Sequence, residues 1–161
     1  KYYEFDIHPY FVKAFKKRWY VVAYSPGTND IRCYALDRME NVIISDKVFK
    51  MPKDLEPAEY FKDCFGIINN KDSEVQKVVL KVDAFQSNYI RNLPLHESQK
   101  EMKRTDEYSI FEYHLKPEFD FEQEIFSNMD TMEVLEPQWL REEVSERLRN
   151  LAKKYKICPS S

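Results

Sequence analysis

Apolar and polar positions alternate with a period near two through the first third of the chain, and turn-forming residues interrupt them at short intervals. Tyr2-Tyr3-Glu4-Phe5-Asp6-Ile7 reads as a strand that His8-Pro9 breaks or bends. Tyr10 to Phe15 is a second run, with Lys16-Lys17-Arg18 at the turn. In Trp19 to Tyr24, a third, β-branched and aromatic residues favour strand over helix. Ser25-Pro26-Gly27-Thr28-Asn29-Asp30 is dense in turn formers, so the strand before it and Ile31 to Met39 after it form a hairpin. Asn41 to Asp46 fits a fifth strand. Five short strands joined by tight turns predict a small Sm-like or SH3-like β-barrel.

Beyond this region the period changes. Asp54 to Phe61 reads as a short connecting helix, with Pro57 at a first helical position and Gly66 as its stop. Asn69-Asn70-Lys71-Asp72-Ser73 is polar and reads as a linker. Val75 to Val82 predicts a strand and Ala84 to Leu93 a helix. Leu95 to Arg104 and Tyr108 to Lys116 read as a strand pair around Thr105-Asp106. Pro117 to Asn128 predicts a second helix, and Met132 to Leu135 a last strand. That order, β-α-β-β-α-β, is the ferredoxin-like plan. A final helix starts at Pro137, with Leu140, Val144, Leu148, Leu151 and Tyr155 on one apolar stripe. Glu142 and Glu143 in its first turns and Lys153, Lys154 and Lys156 at its end match the helix dipole. The expectation is an α+β chain: a barrel domain over 1–67 and a ferredoxin-like extension with a C-terminal helix over 74–157.

Composition narrows the function. Aromatic residues make up 15% of the chain, with Tyr and Phe at 11 each, so rings carry much of the core. Only two glycines are present, which excludes Rossmann and P-loop phosphate cradles. The net charge of −3 is unevenly spread: residues 1–53 hold 10 Lys/Arg and 6 Asp/Glu, giving +4, and the remainder hold 15 and 22, giving −7. An anionic partner is therefore expected at the hairpin segment, with a solvated strand edge as the simpler alternative. Cys33, Cys64 and Cys158 are odd in number and lack metal-site spacing, which favours a reducing, cytoplasmic setting without disulfide or zinc. No apolar run is long enough for a membrane span and no signal peptide opens the chain, which reads as a fragment of something longer.

Few residues suggest chemistry. His96 and Ser98, two apart on the expected strand, share a face and could begin a nucleophilic pair. No carboxylate in a recognisable motif orients the imidazole, and no nucleophile elbow surrounds the serine. A polar contact role is the better expectation. The acidic pairs Glu142/Glu143 and Asp120/Glu122 read as solvated helix faces. The hairpin differs. Arg32 and Arg38, six apart, share one face with Tyr34 and Leu36 if the strand is unbroken, and Trp19, Tyr20 and Tyr24 supply rings from the partner strand. Guanidinium groups hold phosphates and stack on rings, so the cluster suits a nucleotide or single-stranded nucleic acid. Alternatively, Trp19 and Tyr34 are core and Arg38 pairs with a local carboxylate. The register, and with it the ring that joins the arginines, stays open at this level.

At this hairpin the sequence resembles the WYL-domain family of bacterial transcriptional regulators. The naming tripeptide stands as Trp19-Tyr20-Val21, and a second signature as Arg32-Cys33-Tyr34-Ala35-Leu36-Asp37-Arg38-Met39, with Ala35 where many members carry another Arg. His8-Pro9-Tyr10 resembles the family's entry, Phe65-Gly66-Ile67 its exit, and the rest of the chain is similar to the C-terminal extension behind many WYL domains. The resemblance implies an Sm-like barrel with a ferredoxin-like extension, acting as a non-enzymatic effector module that senses a ligand and dimerises. Its implied ligand is nucleotide-type or single-stranded nucleic acid, held by Arg32 and Arg38 with Tyr20 and Trp19 beside them. Lys13 and His96 are secondary candidates. No cofactor or metal is implied, and operator DNA is expected only through an N-terminal helix-turn-helix absent from this stretch. Two rivals remain: a protein-interaction module with no small ligand, and a hydrolase built on His96 and Ser98.

Overall fold

The alternation between His8 and Ala35 folds, in the computed structural model, into three antiparallel strands in the order β1-β2-β3; the structure describes residues 3–157. β1 is His8–Phe15, β2 Arg18–Ser25 and β3 Asp30–Ala35. Pro9 lies within β1 rather than ending it. β1 is an edge strand, where one side makes no ladder bonds and proline is tolerated, and its register shifts between Pro9 and Phe11. Lys16 and Lys17 alone connect β1 to β2, at φ 45° and 64°. Positive φ at both central positions is the signature of a type I′ hairpin turn, which normally favours Asn-Gly. Each side chain there costs about 1–2 kcal/mol relative to glycine.

Three expectations for this unit give way. Described residues 3–7 form no strand; Phe5 instead rests on Tyr34 at 5.3 Å between ring centroids, and Asp6 pairs with Lys47 at 2.6 Å. Lys1, Tyr2 and Cys158 lie outside the described residues. β3 stops at Ala35, and Leu36–Arg38 coil into a 3-10 turn whose Asp37 meets Arg18 at 3.4 Å, so Arg32 and Arg38 do not share a strand face. Asn41 to Asp46 stays irregular. Asn41 has φ 51°, which redirects the chain, and Val42, Ile43 and Ile44 are left 73%, 84% and 95% exposed without a ladder to join. Strand propensity of β-branched residues is realised only against a neighbouring strand. Among the described residues the unit thus holds three strands, not five, and one short helix, α1 (Pro57–Phe61), which has Pro57 in its first turn but ends before Gly66 is reached.

By contact density the chain divides into Lys1–Lys62 with Gly66–Ile68, and Asp63–Phe65 with Asn69–Ser161. The second unit runs β4 (Gln76–Asp83), α2 (Ala84–Asn92), β5 (Lys100–Arg104), β6 (Tyr108–Leu115), α3 (Phe119–Ser127), β7 (Met132–Glu136) and α4 (Gln138–Lys154). Its sheet is antiparallel in the order β5-β6-β4-β7. One face of β4 and β6 packs Val78, Leu80, Val82, Phe111, Tyr113 and Leu115 against Ile90, Phe121, Ile125 and Leu140 of the helices. Asp83 starts α2 by accepting a 2.7 Å bond from the Gln86 N–H. Residues 63–65 join the end of β6: Lys116 N–H donates to Asp63 O at 2.8 Å, and Phe65 packs edge-on to Phe121. Lys116 Nζ also donates to Asn69 Oδ1 and Asn70 O, tying the polar 69–73 stretch to the same strand. The stripe on α4 is buried at Leu140 and Val144 but exposed at Leu148 (45%) and Tyr155 (70%).

Two carboxylates in this unit respond oppositely to pH. Arg91 donates from Nε and Nη2 to the two oxygens of Glu101 at 3.0 and 2.7 Å, and Ser109 Oγ donates at 2.7 Å. Those bonds outweigh burial and hold Glu101 down from 4.5 to about 2. A depressed carboxylate contributes stability that is complete above pH 4.5 and lost as pH falls through about 2. Glu122, by contrast, is raised by burial, then by the neighbouring Glu143 and Glu118 charges, against Arg147. Ionised Glu122 therefore opposes folding: its contribution is present at low pH and lost as pH rises through the raised value. We expect Glu101→Gln to lower stability by about 1–3 kcal/mol at neutral pH and to flatten the loss between pH 4.5 and 2. Glu122→Gln should raise neutral-pH stability. Thermal melts of both variants across pH check the opposite signs.

Candidate functional site

The paired register of β2 with both neighbours sorts the hairpin residues by face. Lys13↔Tyr20, Phe11↔Val22, Tyr20↔Ala35 and Val22↔Cys33 place Lys13, Tyr20, Phe11 and Cys33 on one face. Ala14↔Trp19, Val12↔Val21, Val21↔Tyr34 and Ala23↔Arg32 place Trp19, Tyr34 and Arg32 on the other. Both faces bury β2 residues, Val22 on the first and Val21 and Ala23 on the second, and the first packs against α1. Phe11 meets Tyr60 and Phe61 edge-on, Lys13 Nζ stands 4.3 Å from the Phe61 ring centroid, and Cys33 Sγ donates to Ile67 O at 3.2 Å. His8 stacks on Phe49 at 4.7 Å and leans on Tyr24, while Tyr10, beside Phe49, has its phenol pKa pushed up by burial and by Tyr24.

Trp19 is 58% exposed, and Arg32 is exposed too. Tyr34, half-buried, lies between them and takes Phe5 against its ring. Trp19 and Ala23, the partner of Arg32, are four residues apart on β2, so the guanidinium and the indole anchor positions roughly 13 Å apart along the strand. The result is a track rather than a pocket: cation, ring, ring. Beyond its Trp19 end comes the Lys16-Lys17 turn, with Arg18 opposite Phe15. Arg38 is exposed on the 3-10 turn past the end of β3.

The five residues proposed from sequence in the first unit therefore do not share one strand face. The register unites Trp19 with Arg32 and, on the opposite face, Tyr20 with Lys13; Arg38 lies outside both strands, and His96 belongs to the second unit. Phe5 was missed because its contact with Tyr34 joins an irregular segment to a strand, and no periodicity announces such a contact. His96 and Ser98 sit in the turn before β5, not on the strand expected there. They do meet. Ser98 Oγ lies 2.8 Å from His96 Nδ1, the Ser98 N–H donates to the same nitrogen at 3.2 Å, and Ser98 Oγ accepts from the His114 N–H at 2.9 Å. The serine oxygen is held by a strand amide, so the trio fastens the turn to β6.

Among the described residues no group of three or more His, Cys, Asp or Glu side chains could hold a metal ion. Also among them, no helix is long and apolar enough to cross a membrane.

Comparison with known proteins gives two domain matches: a WYL domain over residues 1–44 and a WCX domain over residues 74–152. Among solved structures, the chain is similar to proteasome accessory factor B/C (PafBC) of Arthrobacter aurescens, with 18% identity and a TM-score of 0.40. That similarity covers 96% of this chain and 23% of the PafBC chain, so the chain spans about a quarter of that protein's length. No curated protein matches it.

Ser98→Ala removes the acceptor of the His114 amide and is expected to destabilise the second unit by about 0.5–1.5 kcal/mol. Urea denaturation, with faster hydrogen exchange at the His114 N–H, checks this.

Proposed function

Because the chain belongs to the WYL-domain family, we propose that it is the ligand-sensing and dimerising portion of a bacterial transcriptional regulator, and that its ligand is anionic and nucleotide-type. In this reading the first unit is an Sm-like domain and the second, with its β5-β6-β4-β7 order, a ferredoxin-like one. The observation that carries the ligand class is the exposed Arg32 on the same strand face as Tyr34 and Trp19. Arg32 takes a phosphate through paired N–H donors, and the rings offer stacking surfaces farther along. Their spread favours a short single-stranded oligonucleotide over a mononucleotide. Arg38 is assigned a second anion contact from the 3-10 turn. Tyr20 and Lys13, on the face that packs against α1, support the strand from behind. His96 is given no ligand role.

Arg32→Ala should weaken binding of a single-stranded tetranucleotide at low salt by about tenfold, ~1.4 kcal/mol, and lower the salt slope by about one. Arg38→Ala should act in the same direction. Titration calorimetry measures both, and unchanged affinity in the double variant rejects the assignment.

The exposed second half of the α4 stripe favours a second reading, an interaction module without a small ligand. Leu148→Glu then shifts the chain toward monomer in sedimentation velocity, while no oligonucleotide binds at any salt.

A further inference from the structure

Lys103 stands on the open face of the second sheet because β5 breaks its own alternation. Glu101 pairs with Phe111, so unbroken pairing would set Met102 opposite Ile110 and turn Lys103 toward the helices. The register shifts between Glu101 and Lys103, and Lys103 takes the place opposite Ile110 instead. Bulges re-aim side chains in this way. A bulge also blunts a sheet edge, which β5 is, but that protection does not require a lysine on this face. On its other side Ile110 pairs with Lys81 of β4. Two lysines thus flank one apolar residue in a single row across the sheet, and Tyr108, two positions before Ile110, shares their face.

This spot is rich in donors and poor in acceptors. Lys103 Nζ donates to Tyr108 OH at 2.9 Å and makes no ion pair among the described residues. Because the phenol oxygen accepts that bond, its own proton points elsewhere, and among the described residues it meets no acceptor. Lys81 Nζ lies 4.9 Å and Lys103 Nζ 5.2 Å from the Tyr108 ring centroid, so one ring gathers two ammonium groups. The carboxylates of this face are engaged. Glu133 is 3.7 Å from Lys81 but 2.9 Å from Arg141, Glu112 meets His114 at 3.1 Å, and Asp83 caps α2.

We propose that Tyr108, Lys103 and Lys81 form a binding site for a phosphate monoester group seated over Ile110. Lys103 and the phenol hydroxyl are the principal donors. Lys81, loosely held by Glu133, adds charge from the opposite side. Three donors match the three terminal oxygens of a phosphomonoester, where a carboxylate has only two. The site lies wholly in the second unit and does not rest on the ligand assigned to the hairpin.

The test follows the backbone amides of the full chain by two-dimensional NMR while inorganic phosphate is added at constant ionic strength. Saturable shifts are expected at Tyr108, Ile110 and Lys103. Lys103→Gln should weaken the binding they report by about tenfold and Tyr108→Phe by about fivefold, with Lys81→Gln weaker in effect than either. Lys103→Arg, which keeps a cation there, should retain most of the affinity. Lys77→Gln is the control: Lys77 lies on the same face, paired with Glu136 at 2.6 Å, roughly 13 Å from Lys81 along β4, and its loss should change nothing. Shifts that do not saturate, or that are absent at these three amides, overturn the proposal. So do unchanged affinity in Lys103→Gln or an equal loss in Lys77→Gln. Acetate binding as tightly as phosphate overturns the assignment to a phosphomonoester. Because the shifts are read residue by residue, phosphate bound at the hairpin registers separately.

Discussion

The cross-strand register of β2 is the constraint on which the functional reading rests. Side chains alternate across a strand, so one pairing, Val21↔Tyr34, fixes the face of every neighbour in steps of two. It sends Trp19, Tyr34 and Arg32 outward together and turns Lys13, Tyr20 and Cys33 toward α1 and Ile67. A slip of one residue would exchange the two sets, exposing the half-buried Tyr20 and bringing Arg32 against the Phe61 side. Such a slip would carry the Arg32 guanidinium to the place of Cys33, whose Sγ donates to Ile67 O, and burying it there would be costly. Core packing on one face thereby determines the chemistry on the other.

The same pairing explains what could be read from sequence and what could not. The order of elements in the second unit was legible because each carries its own local signal. Val78, Leu80 and Val82 alternate, Asp83 caps α2, and Leu140 and Val144 stand a helical turn apart. Trp19-Tyr20-Val21 and the Arg32 to Met39 string were legible as motifs. Their faces were not, since register belongs to the pairing and not to either strand alone. Propensity misled where no partner strand is present: Val42-Ile43-Ile44 has the composition of a strand and none of the hydrogen bonding. Leu36-Asp37-Arg38 continues the alternation of β3, yet the chain coils there, with Asp37 beside Arg18. The contact between His96 and Ser98 was anticipated, but through the wrong geometry. Two positions apart in a turn brings them together as surely as two apart on a strand, and the turn uses them to hold β6.

Several polar side chains of the second unit pair with one another. Arg91, Glu101 and Ser109 satisfy one another; Lys77 meets Glu136 and Lys81 approaches Glu133 across the open sheet face. A cation already facing a carboxylate offers little to an external anion, because binding would have to break the existing pair. In the hairpin region Asp30 opens β3 and Asp37 stands beside Arg18, while residues 1–53 carry +4.

Net charge alone would argue against a polyanionic partner, since the whole chain stands at −3. Range decides the matter. Exposed charges are screened beyond a Debye length of about 8 Å at physiological ionic strength, which is shorter than the roughly 13 Å between the Arg32 and Trp19 positions along the strand. In the proposed reading, a phosphate at the hairpin responds chiefly to the charged side chains within about that distance of it. Recognition, in that reading, depends on the placement of individual cations relative to exposed rings, which the register of β2 controls.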